Sequence, residues 1–360
     1  MRLLHARLRN IGPFVDTELQ LSRAPLVTEA PVEPEEGGLT VFFGGSGTGK
    51  TLLLSVLAMT RPGHALPPLP VHLAQAKERA SDEPSYAVTE WTLGDDDPSR
   101  QHPLIITSPS AVLPDETAEQ TTGRRREQAA FDRRAQTEGG FVFVTFSGAR
   151  WFSRTPNMLT TPERTLLRHD VRQPASFDDP TRADLTRETK QVLTYATIGR
   201  ALAEREGGAE RLVRFETALR EVVDVMLEPF DLRYAGVNPF TLEPEMRDHT
   251  GRTFVFDALP RPARHLVALG ALSLRALAAA YPNAEHPRVT EGVVAVDDVE
   301  SQQEPTLLRA LLPLFRRALP NVQWLLTTAS TQLALAAGPS NVVALRRSDT
   351  AIEISEGNLH

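Results

Sequence analysis

The chain has 360 residues, of which 41% are hydrophobic and 24% are charged, the composition of an ordinary globular protein. It contains no cysteine, so disulfides and thiolate metal sites are excluded, and a reducing compartment such as the cytoplasm is expected. The formal charge of −7 excludes a surface that is basic throughout, although it leaves room for a local basic face.

The first third of the chain predicts short strands around one glycine-rich loop. Its first two segments alternate apolar and polar residues on either side of Gly12-Pro13, which is typical of an antiparallel pair. The third segment, LTVFF, is apolar throughout and predicts a buried strand, and residues 50–60 predict a helix after the loop. The predicted strands are residues 2–12, 14–21, 39–43, 86–93 and 103–107.

Residues 115–249 predict an inserted, mainly helical lobe. Residues 115–137 are polar and predict a helix, whereas the apolar run at 140–146 predicts a strand. Two amphipathic stretches then predict a helical hairpin over residues 181–228, broken at Gly207-Gly208, before the chain returns to strands.

Residues 250–360 alternate between strand and helix patterns, which indicates a parallel sheet covered by helices. Together with residues 1–114 they predict one head domain. The most apolar long stretch, residues 265–281, is interrupted by Arg275 and is short for a bilayer, so we expect a buried helix and no membrane insertion. The predicted strands are 252–259, 292–298 and 322–328, the predicted helices are 261–280 and 303–319, and a hairpin is predicted over 341–355.

The glycine-rich loop GGSGTGKT matches the pattern G-x-x-x-x-G-K-[ST] in full. Its glycines let backbone N–H groups surround phosphate oxygens, and the following helix directs its positive end at them. In this pattern Lys50 reaches the phosphates of a nucleotide, and the Thr51 hydroxyl binds Mg²⁺. The alternative is a glycine-rich turn without a ligand. The predicted nucleotide-binding residues are Gly44, Gly45, Ser46, Gly47, Thr48, Gly49, Lys50 and Thr51.

A second motif, VVAVDD at residues 293–298, places a carboxylate at the end of a buried strand. A P-loop fold holds its Mg²⁺ at this place, so we predict that Asp297 and Thr51 bind the metal beside ATP. The alternative is a solvated acidic turn, which commonly follows a strand.

The order of these parts resembles an SMC/RecF-type ATPase of the ABC class, in the short form without long coiled-coil arms. The resemblance depends on LRNIGPF near the start, the glycine-rich loop, the inserted helical hairpin, the Asp-rich strand and LLTTAS at residues 325–330. It covers residues 1–60 and roughly 250–350. It implies an α/β fold, in which a P-loop ATPase head with a mixed sheet flanked by helices carries the inserted helical lobe. It also implies ATP-dependent dimerisation or a complex with an effector protein.

The chain departs from that family at three places. The signature loop, which caps the γ-phosphate of a second subunit in this class, falls on residues 259–265, where Pro260 and Pro262 remove N–H donors. Arg261 and Arg264 offer positive charge there instead. The alternative is that the two prolines only open a helix.

The other two departures concern catalysis. The family's catalytic glutamate is replaced by Asp298, which is one methylene shorter, and Glu300 is the candidate substitute. The family's switch histidine is replaced by Ala329. These changes predict slow hydrolysis, with Asp298 as the base.

A few further residues are candidates for phosphate contacts. Arg150 and Arg154 follow the strand at 140–146, at a place where the family positions γ-phosphate-sensing or DNA-facing groups. His265 lies on an apolar helix and is interpreted as a core or interface histidine rather than as a ligand. Nucleic acid is a candidate partner through an arginine-rich stretch, although such runs are usually solvated helix faces. Its arginines are Arg124, Arg125, Arg126, Arg133 and Arg134.

Two functions therefore stay open. One is a nucleotide-gated ATPase switch, with DNA maintenance and anti-phage defence as candidate settings. The other is a scaffold subunit that holds ATP without hydrolysing it. A small-molecule kinase is disfavoured, because it would not need the N-terminal strand pair or the ABC-like ending.

Overall fold

The computed structural model describes residues 1–21, 38–63, 85–93, 102–108, 111, 113, 116–138, 140–161, 166, 183–206, 210–348 and 351–357. Its strands are β1 (Arg2–Ile11), β2 (Phe14–Gln20), β3 (Leu39–Phe43), β4 (Tyr86–Thr92), β5 (Leu104–Thr107), β6 (Phe143–Phe146), β7 (Leu232–Val237), β8 (Pro244–Asp248), β9 (Thr253–Val255), β10 (Gly292–Val296), β11 (Val322–Thr328), β12 (Val342–Arg347) and β13 (Ile352–Glu356). Its helices are α1 (Lys50–Met59), α2 (Ala118–Glu138), α3 (Thr186–Glu206), α4 (Glu210–Leu227), α5 (Arg261–Ala280), α6 (Leu308–Ala318) and α7 (Thr331–Ala337).

A six-stranded sheet forms the centre, in the order β13-β12-β3-β11-β10-β6. Every pair is parallel except the edge pair of β12 and β13. The strands β10 and β11 are buried along their whole length, as expected where helices cover both faces of a parallel sheet. The predicted α/β fold with a mixed sheet flanked by helices is confirmed.

A second sheet, antiparallel in the order β2-β1-β4-β5, lies over one face of the first. The helix α1 is enclosed between the two, because Leu53 and Leu57 join one apolar cluster with Leu3, Leu8 and Trp91. The alternating pattern of the first two strands supplies the apolar side of this layer. Both strands were predicted from that pattern.

The opposite face of the central sheet is covered by helices. The helix α5 is the middle of this layer, and it contacts α4 so closely that a Cβ on Gly270 would lie 2.9 Å from Val222. Among the described residues, one helix, α5, is long and apolar enough to cross a membrane. However, 83% of its apolar stretch is buried inside the protein, as in a core helix. The predicted hairpin is present as α3 and α4, while Gly207-Gly208 lies outside the described residues.

Several predicted elements differ in extent, among them the strand predicted over 140–146, which covers only Phe143–Phe146. The segment 252–259 is a strand only over Thr253–Val255 and then forms a 3₁₀ turn, Phe256–Ala258. The predicted helix 303–319 begins only at Leu308, because the residues before it form consecutive turns, with hydrogen bonds from the N–H of Gln303 to the carbonyl oxygen of Glu300 and from that of Leu307 to that of Glu304.

The division of the chain into a head and a lobe of residues 115–249 stays a prediction. The strand β6 lies within that lobe range and yet pairs with β10 in the central sheet. A small antiparallel sheet of β7, β8 and β9 follows the hairpin, so the segment is mixed rather than purely helical.

Candidate nucleotide-binding site

The glycine-rich loop connects β3 to α1, at the carboxyl end of the central sheet. Two of its glycines have no room for a side chain. A Cβ on Gly44 would lie 2.7 Å from the carbonyl oxygen of Leu345, and one on Gly49 would lie 2.9 Å from Pro13. Gly49 is also left-handed, with φ of 85°, immediately before the first helical residue. The loop therefore has the geometry that the motif predicts, a tight turn ending at a helix N-terminus.

Lys50 is the first residue of α1 and is buried, with 8% of its surface exposed. Its Nζ donates hydrogen bonds to the carbonyl oxygens of Gly44 and Gly45, both at 2.8 Å. Two of the three ammonium donors are thus used within the loop. The positive charge is held inside the turn where a phosphate would bind.

The side chains of Thr51 and Asp297 meet directly, although they are 246 positions apart. The Thr51 hydroxyl donates to Asp297 Oδ2 at 2.9 Å and lies 3.1 Å from Oδ1. Asp297 follows β10, is 4% exposed, and also accepts a hydrogen bond from the Thr327 hydroxyl at 2.7 Å. The structure therefore brings together the two residues predicted to bind the metal.

These oxygens fit Mg²⁺, which is commonly held by one or two protein oxygens together with waters and phosphates. Among the described residues no group of three or more His, Cys, Asp or Glu side chains is arranged to hold a metal by itself.

The two candidate bases lie on the turn after Asp297. Asp298 is left-handed, with φ of 42°, and its N–H donates to the Thr327 hydroxyl at 2.7 Å. Burial raises the pKa of the Asp298 carboxyl, and the neighbouring charges of Asp297 and Glu300 raise it further. No described residue donates a hydrogen bond to this carboxylate, so it faces the cavity as a free acceptor.

Glu300 is placed differently. Its Oε1 accepts a hydrogen bond from the N–H of Ala329 at 2.6 Å, which ties it to the position where the family carries a histidine. Glu300 therefore joins the turn after β10 to the turn after β11. Of the two carboxylates, Asp298 is the one without a described hydrogen-bond donor.

Arg150 was expected from the sequence to be a γ-phosphate-sensing or DNA-facing group, and its position in the structure is different. The structure buries it to 2% exposure, so it faces neither DNA nor solvent. Its guanidinium lies beneath the turn after β10 and donates to backbone carbonyls there. They are those of Asp297 (2.7 Å), Asp298 (2.9 Å), Val299 (3.3 Å) and Ser301 (3.4 Å). Burial lowers the pKa of Arg150 to about 10, while the carboxylates of the turn oppose that shift, so the guanidinium stays charged at neutral pH. Sequence reasoning named the residue but missed this role, because only the fold brings residue 150 beneath residue 298.

The signature loop position opens α5. Pro260 immediately precedes the helix and Pro262 lies in its first turn, where proline is tolerated because those N–H groups have no helical partner. The guanidinium of Arg264 lies 5.4 Å from the centre of the Phe152 ring. Phe152 also contacts His265 edge-on at 4.9 Å. His265 is buried, and its pKa is lowered to about 3. The main cause is burial, and the charge of Arg150 adds to it.

A cavity of about 780 Å³ connects the glycine-rich loop with the turn after β10. It is large enough for a nucleotide-sized ligand. The residues that line it are Pro13, Ser46, Gly47, Gly49, Lys50, Thr51, Leu52, Asp298, Glu300, Ser301, Ala329, Arg347, Ser348, Ala351 and Ile352. Arg347 and its neighbours at the β12–β13 hairpin were not predicted to belong to the site.

The arginine-rich stretch forms most of α2, away from this cavity. Arg124 is buried and binds the Glu116 carboxylate at 2.7 and 2.8 Å and the Thr107 hydroxyl at 2.5 Å. It docks α2 on β5 and is therefore unsuited to a nucleic-acid contact, contrary to the prediction. Arg125, Arg126 and Arg133 are exposed, whereas the Arg134 side chain lies outside the described residues. Nucleic-acid binding by these residues stays a prediction.

No protein-family model and no curated protein matches this chain. Among solved structures, it is similar to an SMC head bound to the C-winged helix domain of ScpA, with a TM-score of 0.55 and 12% identity over 99% of this chain and 97% of that one. An SMC head domain from Thermotoga maritima matches 99% of both chains at 11% identity, with a TM-score of 0.48. A third structure is an Smc head with an extended coiled coil, bound to the C-terminal domain of ScpA derived from Pyrococcus furiosus. It matches at 12% identity over 98% of this chain and 95% of that one, with a TM-score of 0.48.

The first of these likenesses defines the class of fold. This chain has the fold of an SMC head domain, and the predicted resemblance is confirmed at the level of the fold.

Proposed function

We propose that the protein binds Mg-ATP and hydrolyses it slowly as a nucleotide-gated switch of the ABC class. The observation that carries this proposal is the contact between Thr51 and Asp297 at the mouth of a complete phosphate loop. A loop without a ligand would not require a buried carboxylate from another strand beside its threonine. The SMC-head fold supports the same class.

The residues have separate tasks in this proposal. Lys50 and the loop N–H groups bind the phosphates, while Thr51 and Asp297 hold the metal. When bound, Mg²⁺ would neutralise charge that develops on the phosphates. Asp298 orients the attacking water and accepts its proton, since its raised pKa keeps it a better base than an ordinary aspartate.

The alternative is a scaffold that holds ATP without hydrolysing it. It is favoured by Ala329, which has no group to orient a water, and by the bond that ties Glu300 to the Ala329 N–H. Both versions are compatible with ATP-dependent dimerisation or with an effector protein that recognises the ATP-bound form in the cytoplasm. One of the similar solved structures is an SMC head bound to a partner protein domain, that of ScpA. DNA maintenance and anti-phage defence are candidate settings.

The binding half of the proposal is tested by calorimetry. The unaltered chain should bind ATP more tightly with Mg²⁺ than without it, and Lys50→Ala should abolish binding, because Lys50 is the cation inside the loop. Undiminished affinity in the Lys50→Ala protein would show that the loop is not a nucleotide site.

Nucleotide-dependent assembly and ATP hydrolysis are tested on the same samples. Size measurement with and without Mg-ATP reports assembly, and phosphate release at saturating ATP reports turnover. Turnover well below about 10 per second supports the slow switch. ATP binding without any phosphate release supports the scaffold.

A further inference from the structure

The β12–β13 hairpin brings a second cation to the phosphate loop, and this cation belongs to neither motif of the site. The strand β12 runs parallel to β3, with Ala344 opposite Phe43 at the end of the pairing. The segments that follow these two strands stay side by side: a Cβ on Gly44 would lie 2.7 Å from the Leu345 carbonyl oxygen. The last residues of β12 therefore lie along the loop.

The alternation of β12 decides which side chain faces the nucleotide site. Val343 and Leu345 are buried in the apolar cluster that contains residues of α1, whereas Val342 is buried in the cluster on the other face of the sheet. In a strand, every second residue faces the same side. Arg347 is thus on the side of α1 and the phosphate loop, and Arg346 is on the opposite side.

The positions of the atoms agree with this alternation. Arg347 lines the cavity together with Lys50, whereas Arg346 does not. The Nη1 of Arg347 lies 4.0 Å from the point where a Cβ on Gly47 would be. Arg347 is exposed, and no ion pair or hydrogen bond holds its guanidinium among the described residues.

The charges of the cavity explain why a second cation is useful there. Its described lining includes two carboxylates, Asp298 and Glu300, and two cations, Lys50 and Arg347. Lys50 already donates two hydrogen bonds within the loop. A nucleotide di- or triphosphate brings several negative charges, and a guanidinium binds phosphate oxygens through two parallel N–H groups.

We infer that Arg347 binds the phosphate chain of the nucleotide from beside the phosphate loop, as a second cation next to Lys50. The inference rests on the proposed function and extends it, because it assigns part of the phosphate affinity to the β12–β13 hairpin.

The test measures nucleotide affinity of the full chain by calorimetry, with Arg346→Gln as the matched control for Arg347→Gln. Arg347→Gln should weaken ATP and ADP binding by about 5- to 20-fold, the usual effect of losing one partly solvated, charge-assisted contact. Arg346→Gln should change either affinity less than about twofold. Arg347→Lys should recover part of the loss, because lysine keeps the charge but not the paired donors. Adenosine, which lacks phosphates, should bind all four proteins alike.

Several results would overturn the inference. One is equal ATP affinity in the Arg347→Gln and Arg346→Gln proteins, and another is an equal loss of adenosine binding, which would place Arg347 on the base. Thermal melting of each variant shows whether it is folded, and Arg347→Lys provides a milder change if the glutamine variant is not. If the unaltered chain does not bind ATP at all, the proposed function fails. If Lys50→Ala abolishes ATP binding but Arg347→Gln leaves the ATP affinity unchanged, only this inference fails.

Discussion

The phosphate loop and the turn after β10 line the same cavity, and they differ in how they are built. The loop follows its motif at every position and ends at a helix N-terminus. The turn, residues 298–302, departs from the resembled family and contains two left-handed residues, Asp298 and Gln302. A buried arginine holds it from beneath, in addition to the turn's own backbone hydrogen bond from the Ser301 N–H to the Asp298 carbonyl oxygen at 2.8 Å.

That difference separates binding from hydrolysis. Phosphate binding requires backbone N–H groups and a cation, and the loop supplies both. Hydrolysis also requires a base placed to within a fraction of an ångström, and this placement depends on the turn. A change in the loop should therefore affect ATP affinity, whereas a change in the turn should affect turnover and leave affinity nearly constant.

The largest effect in the turn is expected at Asp298. Asp298→Asn should lower phosphate release by about 100- to 10,000-fold, because an amide cannot accept the proton of the attacking water. ATP affinity should stay within about threefold of the unaltered chain. Asp298→Glu, combined with Ala329→His, should raise turnover, since it restores the longer carboxylate and the polar group that the resembled family carries.

The measurement is phosphate release at saturating ATP, with calorimetry on the same proteins. Turnover that is indifferent to Asp298→Asn would mean that the base is elsewhere. Glu300 would then be the next residue to substitute, and its bond to the Ala329 N–H would have to break in the active state.

A smaller effect is expected at Arg150, which touches no ligand and acts through the turn. Arg150→Met should lower turnover by about 10- to 100-fold with ATP affinity little changed, because the carbonyls of the turn lose their common donor and Asp298 loses its fixed position. Arg150→Lys should recover part of the turnover. Arg187→Met, at an exposed arginine with no proposed role at the site, is the control.

A purely structural role for Arg150 would give a different result. Loss of a buried charged donor destabilises a fold, so the melting temperature should fall in Arg150→Met. If turnover measured well below that temperature is unchanged, Arg150 supports the fold alone and the turn does not need it.

The loop and the central sheet could be predicted from the sequence because their signals are local. Eight consecutive residues define the phosphate loop, and apolar runs such as LTVFF identify buried parallel strands. The pairing of Thr51 with Asp297 was also predictable, since each motif has a fixed place at the carboxyl end of the sheet. These parts of the site required no knowledge of distant contacts.

The rest depended on contacts between distant residues. The sequence suggested a nucleic-acid contact for Arg124 and a γ-phosphate-sensing or DNA-facing role for Arg150. In the structure, Glu116 and the carbonyls of the turn after β10 hold these two arginines in buried positions. Arg347 is the last residue of β12, which has no motif, and only the register of β12 on β3 brings it to the loop. A single sequence contains no signal for such register, so these roles could be found only in the structure.

The smallest effect expected is a dependence of stability on pH at His265, on the side of the turn away from the loop. Its pKa is about 3 in the folded protein and about 6.5 when unfolded, so the unfolded state binds a proton first as the pH falls. Stability is therefore present in full above pH 6.5 and is lost progressively between 6.5 and 3, by about 2 kcal/mol from pH 7 to pH 5. His265→Leu should remove that loss, while the exposed His286→Leu should not. Urea unfolding of the three proteins at pH 7 and pH 5 measures the effect. An equal loss of stability in all three would mean that acid acts on other groups.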